Sequence, residues 1–136
     1  MNKVNRKLEY SLMALKHMCQ KVSGELTTAK EVSDSYQAPF DATARVMQIM
    51  AQKGLLKSEQ GATGGYQITT DLEKVSLKDL IEIIQGPVQI AKCLHKNEPC
   101  EIHSTCNIVS PMANLNNRLT DFYKSVSVKE LLFRNL

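Results

Sequence analysis

The spacing of apolar residues in this chain changes period and then changes back, and no other feature constrains the fold as tightly. Leu8, Leu12, Leu15, Cys19 and Val22 step by four, three, four and three, an apolar stripe along about four turns of helix. Ser23-Gly24 is its stop. Thr28 and Glu31 have capping-box spacing and open a short helix through about Ser35. Ala38-Pro39-Phe40 reads as a turn, and Ala42, Val46, Ile49 and Met50 mark a third helix closed by Gly54. Then the period shortens. Leu55-Leu56-Lys57-Ser58 and Gly65-Tyr66-Gln67-Ile68-Thr69 read as short strands around a tip of Gly61-Ala62-Thr63-Gly64-Gly65. Its three glycines predict unusual backbone angles or close approach to another group. Ser76 and Asp79 cap a helix from Leu77 to Gln85, stopped by Gly86-Pro87. Helical spacing returns at Ile108, Met112, Leu115, Leu119 and Phe122, and Ser127 with Glu130 opens a last short segment. The expected class is mainly α with a small β-hairpin.

A chain of 136 residues supports one domain with one core, and 43% hydrophobic and 23% charged residues are ordinary for a folded soluble protein. No apolar run approaches the ~18–20 residues that cross a bilayer. The basic start, through Lys7, lacks a signal-peptide core because Glu9, Ser11, Lys16 and His17 interrupt the apolar pattern. The expectation is a cytoplasmic protein. Residues 1–60 hold nine Lys/Arg against six Asp/Glu, while residues 61–136 hold eight of each, so the whole excess of +3 lies in the first half. That asymmetry points weakly to a polyanion partner.

Three helices and a glycine-tipped hairpin form the pattern of a winged helix-turn-helix, which offers one helix to the DNA major groove and the hairpin to the backbone or minor groove. Opposite the apolar stripe of the third helix stand Asp41, Thr43, Arg45 and Gln48. Arginine reads guanine edges, glutamine reads adenine, and threonine touches a thymine methyl or a phosphate. Lys3, Arg6, Lys7, Lys30, Lys53 and Lys57 are candidate phosphate contacts. The last long helix has little of its own domain to pack against, so it reads as a dimerisation helix for a second copy; a helix folded back on its own core is the competing reading.

Cys19 sits alone on a helical face, whereas Cys93, Cys100 and Cys106 crowd into a loop with no usable periodicity. Three clustered thiols in a reducing compartment point to metal binding or redox sensing. The C-x6-C-x5-C spacing is neither a zinc ribbon nor a ferredoxin run. His95, Glu98, Glu101 and His103, or a residue from elsewhere or from a second subunit, are candidates for a fourth ligand. No Ser-His-Asp, paired-carboxylate or phosphate-loop constellation is present, so an enzyme is not expected.

Gly61 through Ile68, followed by Val75-Ser76-Leu77-Lys78-Asp79 and the helix ending Gly86-Pro87, resembles the glycine-rich wing and following helix of the Rrf2 family of bacterial winged-helix transcription regulators, the IscR-, NsrR- and RirA-like proteins. The resemblance spans essentially the whole chain. It implies that Cys93, Cys100 and Cys106 hold a 2Fe-2S or 4Fe-4S cluster and that the helix after them dimerises. IscR-like members carry a histidine three residues after the last cysteine, where this chain has Val109. NsrR-like members use an acidic residue near the start of the first helix, donated across the dimer, and the matching position is Glu9, preferred here to His103. Family members often space the first two cysteines by five residues; here six intervene. Where the family often has an arginine before the wing, this chain has Gln60.

The resemblance divides the chain into a winged helix-turn-helix at 1–87, a cluster-binding loop at 88–107, and a dimerisation helix with C-terminal segment at 108–136. It implies a homodimer on a palindromic operator in double-stranded DNA, contacted through Thr28, Asp41, Thr43, Arg45, Gln48, Gln60, Gly64 and Gly65. No membrane and no small-molecule substrate are expected. The cluster would set DNA affinity in response to iron, redox state, oxygen or nitric oxide. Two alternatives are a DNA-binding regulator with a cluster-free thiol switch or zinc site, and an iron–sulfur transfer protein that keeps the winged helix as a scaffold.

Overall fold

The computed structural model describes residues 4–61, 64–94 and 100–134. Helix α1 (Arg6–Cys19) starts at Asn5, whose side chain accepts from the Leu8 amide. It buries Leu8, Ser11, Ala14, Leu15 and Met18. The buried face is thus turned from the expected stripe. Leu12 and Cys19 are only half-buried, and Val22 lies beyond the helix and is 71% exposed. Ser11 occupies a core position because its hydroxyl donates to the Leu8 carbonyl at 2.7 Å.

Helix α2 (Ala29–Tyr36) begins at Thr28, whose hydroxyl accepts from Glu31 N at 3.0 Å. The turn into α3 (Phe40–Gln52) passes through Gln37 at φ 54°, a left-handed conformation that costs a side-chain-bearing residue on the order of 1 kcal/mol. Helix α3 ends as expected. Gly54 N donates to Ala51 O and Leu55 N to Met50 O, the double closure that requires a left-handed residue, and Gly54 has φ +85°.

Strands β1 (Leu56–Glu59) and β2 (Gly65–Ile68) pair antiparallel, with Leu56 opposite Ile68 and Glu59 opposite Gly65. Tip residues Ala62 and Thr63 lie outside the described residues. Thr27 adds a rung to the hairpin: its amide donates to Tyr66 O at 2.9 Å and Tyr66 N donates back at 2.8 Å. The wing is thereby fixed to the segment that leads into α2.

Helix α4 (Leu77–Ile84) carries the full reciprocal capping box of Ser76 and Asp79. One 3-10 turn covers Lys92–Leu94 before α5 (Val109–Ser125), and α6 (Val128–Phe133) starts at the Ser127 cap. The segment sequence reasoning assigns to 108–136 divides here. Leu77 N donates to Val126 O at 2.7 Å and Val128 N to Val75 O at 2.8 Å. Val126 and Val128 join Leu8, Leu15, Val32, Met47, Met50 and Leu80 in one core. The stretch after α5 therefore closes the N-terminal core, while α5 itself buries no residue completely. Among the described residues no helix is long and apolar enough to cross a membrane.

Candidate nucleic-acid interface and cysteine cavity

Helix α3 packs through Thr43, Val46, Met47 and Met50 and leaves Asp41, Arg45 and Gln48 exposed. Three of the four predicted DNA-reading residues of this helix thus share one open face. Thr43 does not. It is fully buried, and its hydroxyl donates to the Pro39 carbonyl at 2.8 Å, so its assignment to the DNA face is corrected to a core position. Spacing places residue 43 in phase with Met47 and Met50, one and two turns on. Thr28 is exposed, with its hydroxyl engaged as the α2 cap.

The wing shows a similar division. Gln60 is exposed where β1 turns into the tip. A Cβ on Gly64 would meet the Glu59 carbonyl oxygen at 2.8 Å, and one on Gly65 would meet the Thr27 carbonyl oxygen at 2.9 Å. The hairpin's own packing therefore accounts for both glycines, whatever they later contact. Among the candidate phosphate contacts, Arg6 pairs with Glu9, Lys30 with Asp34 and Lys57 with Glu59, all near the surface. Lys3 lies outside the described residues.

A polar junction missed by spacing holds the helix-turn-helix to α1. His17 Nε2 lies 2.5 Å from Glu31 Oε2, its Nδ1 lies 2.6 Å from the Tyr36 hydroxyl, and Lys21 Nζ donates to Glu31 at 3.0 Å and to Leu26 O at 2.7 Å. Burial pushes the Glu31 carboxyl up, but hydrogen bonds and charge from His17 and Lys21 outweigh it and hold the group below its ordinary value. The only sequence signal for this junction is the Glu of the apparent capping box, which turns toward α1.

Cys93, Cys100 and Cys106 all line one cavity of about 200 Å³ with Ile102, Ile108 and Met112. Each of the three thiols is half-buried. Among the described residues no three His, Cys, Asp or Glu side chains converge closely enough to hold a metal ion. The loop brings the cysteines to a common apolar wall without closing them on one point. His103 also lines the cavity, while Glu101 is drawn to Lys92 Nζ at 2.9 Å, which holds its carboxyl below the ordinary value. His95, Glu98 and Pro99 lie outside the described residues. Glu9 is half-buried on α1, accepts from Arg6 at 3.1 Å, and is not among the cavity's lining residues. Burial pushes the Cys19 thiol up, and nearby Lys129 only partly offsets that.

Asn116 ties α5 to the chain that leads into this cavity. Its amide donates to Val88 O at 2.9 Å, and its oxygen accepts from Ile90 N at 3.0 Å. One mid-helix asparagine thus fastens α5 to the strand of chain that leads into Cys93.

Over residues 4–134 the chain matches the Rrf2 family, described as iron-dependent transcriptional regulators. It is 22% identical over 133 residues to the transcriptional regulator IscR of Vibrio vulnificus, covering 98% of this chain and 79% of that one. It is 23% identical over 99 residues to the transcriptional regulator CymR of Bacillus subtilis, covering 73% and 72%. The solved structure of CymR, the global cysteine regulator of B. subtilis, superposes with a TM-score of 0.73 at 20% identity over 97% of both chains. A helix-turn-helix with its α3 face open, a wing clamped by Thr27, and a match over nearly the full length agree on one assignment: the chain belongs to the Rrf2 family of DNA-binding transcriptional regulators and is not an enzyme.

Proposed function

We propose that the chain is a homodimeric regulator whose grip on a palindromic operator is set by an iron–sulfur cluster at the cysteine cavity. The observation that carries the reading is that Cys93, Cys100 and Cys106 all line one apolar cavity. Soft thiolates with a low-dielectric wall are the donor set and setting that such clusters use. Cys93, Cys100 and Cys106 would hold the group, with Glu9 of a second copy as an oxygen ligand. When bound, the cluster supplies iron–sulfur bonds that respond to iron supply and oxidants. The chain's own residues would carry the response onward. Asn116 couples the loop to α5, and Asn5 N donates to Gln85 Oε1 at 2.8 Å, so α1 is held at the end of α4 that feeds the loop. Asp41, Arg45, Gln48 and Gln60 would meet DNA. Because both half-sites must be engaged together, a small change in the spacing of two α3 helices costs much affinity.

A cluster-free thiol switch or zinc site is the second reading. The thiol switch is favoured by the spread of the three thiols around the cavity and by the likeness to a regulator described as a cysteine regulator.

The test is a visible absorption spectrum with iron and sulfide analysis, on protein purified without air and on its Cys100→Ser variant. Charge-transfer absorption with matched iron and sulfide, lost in the variant, is the expected result. A colourless wild-type protein that takes up no cluster on reconstitution overturns the first reading and leaves the second.

A further inference from the structure

Phe40 is half exposed, at 51%, on the first residue of α3. Phe40 is the large apolar side chain that α3 leaves exposed, while Val46, Met47 and Met50 of the same helix are buried. Pro39, the cap residue, makes no side-chain hydrogen bond over the first turn, so the ring and the helix start stand open together. Along α3, Phe40, Ala44 and Gln48 are spaced by four and form one ridge; Asp41 and Arg45 form the neighbouring one. The first two turns thus present an apolar ridge of Phe40 and Ala44 beside a charged ridge, on the helix whose N-terminal residues meet base edges in this class of fold. Among the edges in the major groove, the 5-methyl of thymine is the apolar one.

From this we infer that Phe40 is a specificity-determining residue whose ring covers the 5-methyl group of a thymine in each half-site. Asp41 beside it is an acceptor suited to the exocyclic amine of cytosine, so the start of α3 selects a thymine with a cytosine nearby. The inference rests on the proposed DNA-binding role and goes beyond it by naming the base and the chemical group read.

The test begins by finding the operator. Duplexes retained by the full chain are selected from a random pool, and each thymine of the recovered half-site is then replaced by deoxyuridine, which lacks only the methyl. Affinity is measured for the wild type, Phe40→Ala and Phe40→Leu at fixed salt. The wild type should lose about fourfold at one thymine per half-site and about fifteenfold when both half-sites are replaced, the loss expected from one methyl left in water each time. Phe40→Ala should bind the thymine and deoxyuridine duplexes equally, and Phe40→Leu should keep part of the preference. Circular dichroism confirms that the variants are folded. A wild type indifferent to every thymine methyl, or a Phe40→Ala variant with an unchanged preference, overturns the inference while leaving DNA binding intact. A pool with no enriched duplex overturns the DNA-binding role and this inference with it.

Discussion

A Cβ built on Gly65 would stand 2.9 Å from the carbonyl oxygen of Thr27 and 3.1 Å from its carbon, and the residue's φ of +151° is one that side chains rarely adopt. Both penalties fall on the rung that fixes the wing to the chain ahead of α2, where Thr27 and Tyr66 exchange backbone hydrogen bonds. Flexible rearrangement offers no relief, since the obstructing atoms are backbone. Gly65→Ala should therefore cost about 2 kcal/mol, in the range of strained-backbone substitutions. The loss is read as a lower urea midpoint, together with faster hydrogen exchange at the Thr27 and Tyr66 amides. Wild-type stability with both amides still protected would mean that the wing does not depend on this contact.

At the scale of elements, α1 and α2 are joined by the polar junction around Glu31, and its pH dependence has a definite sign. The carboxyl sits below its ordinary value of 4.5 in the folded protein, so the unfolded chain binds more protons. Its stabilising contribution is complete above that ordinary value and is lost as pH falls through the lowered folded one. More than a third of the Glu31 side chain is exposed, so solvent screening limits the effect to about 0.5–1 kcal/mol. Glu31→Gln should thus lower the urea midpoint at pH 7 and do so progressively less as the pH falls below 4.5; a loss that does not change with pH would show that packing, not charge, joins the helices. The elements themselves are largely legible in the sequence, because capping residues and glycine stops act locally. Ser76, Thr28, Ser127 and Gly54 each stand at the end they predict. Which face a helix buries is read less well. Ser11 and Thr43 are buried polar residues satisfied by carbonyls three and four residues back, and a reading by apolar spacing passes over them. The same blindness put Thr43 on the DNA face. Three cysteines in one loop identify the cavity, but the return of Val126 and Val128 to the core depends on distant pairing with Val75 and Leu77 that no local pattern encodes.

For the whole molecule, the question is what covers α5. Ile108, Leu115 and Phe122 are spaced by seven and are 49%, 45% and 53% exposed, while Asn116 and Tyr123 turn toward the chain's own fold. One side of the helix therefore docks on its own chain, and the other leaves a heptad-spaced apolar seam open. These side chains are already about half buried, so covering the remainder gains each about 0.7–1.5 kcal/mol, and a symmetric pairing of two seams repeats that gain on both copies. The proposed homodimer makes a sharp demand on Leu115, at the middle of the seam. Leu115→Glu would place two carboxylates near each other across a two-fold axis in an apolar interface, where neither finds a partner. Because Leu115 is exposed in the single chain, the fold of the protomer should survive the change. Sedimentation at micromolar concentration should find a dimer for the wild type and a monomer for Leu115→Glu, with matching far-ultraviolet spectra. Affinity for a two-half-site operator should fall by about a hundredfold or more, since a second recognition helix held at high effective concentration is lost. Affinity for a single half-site should change little. A Leu115→Glu protein that remains dimeric would place the interface elsewhere, and the seam would then need a different occupant.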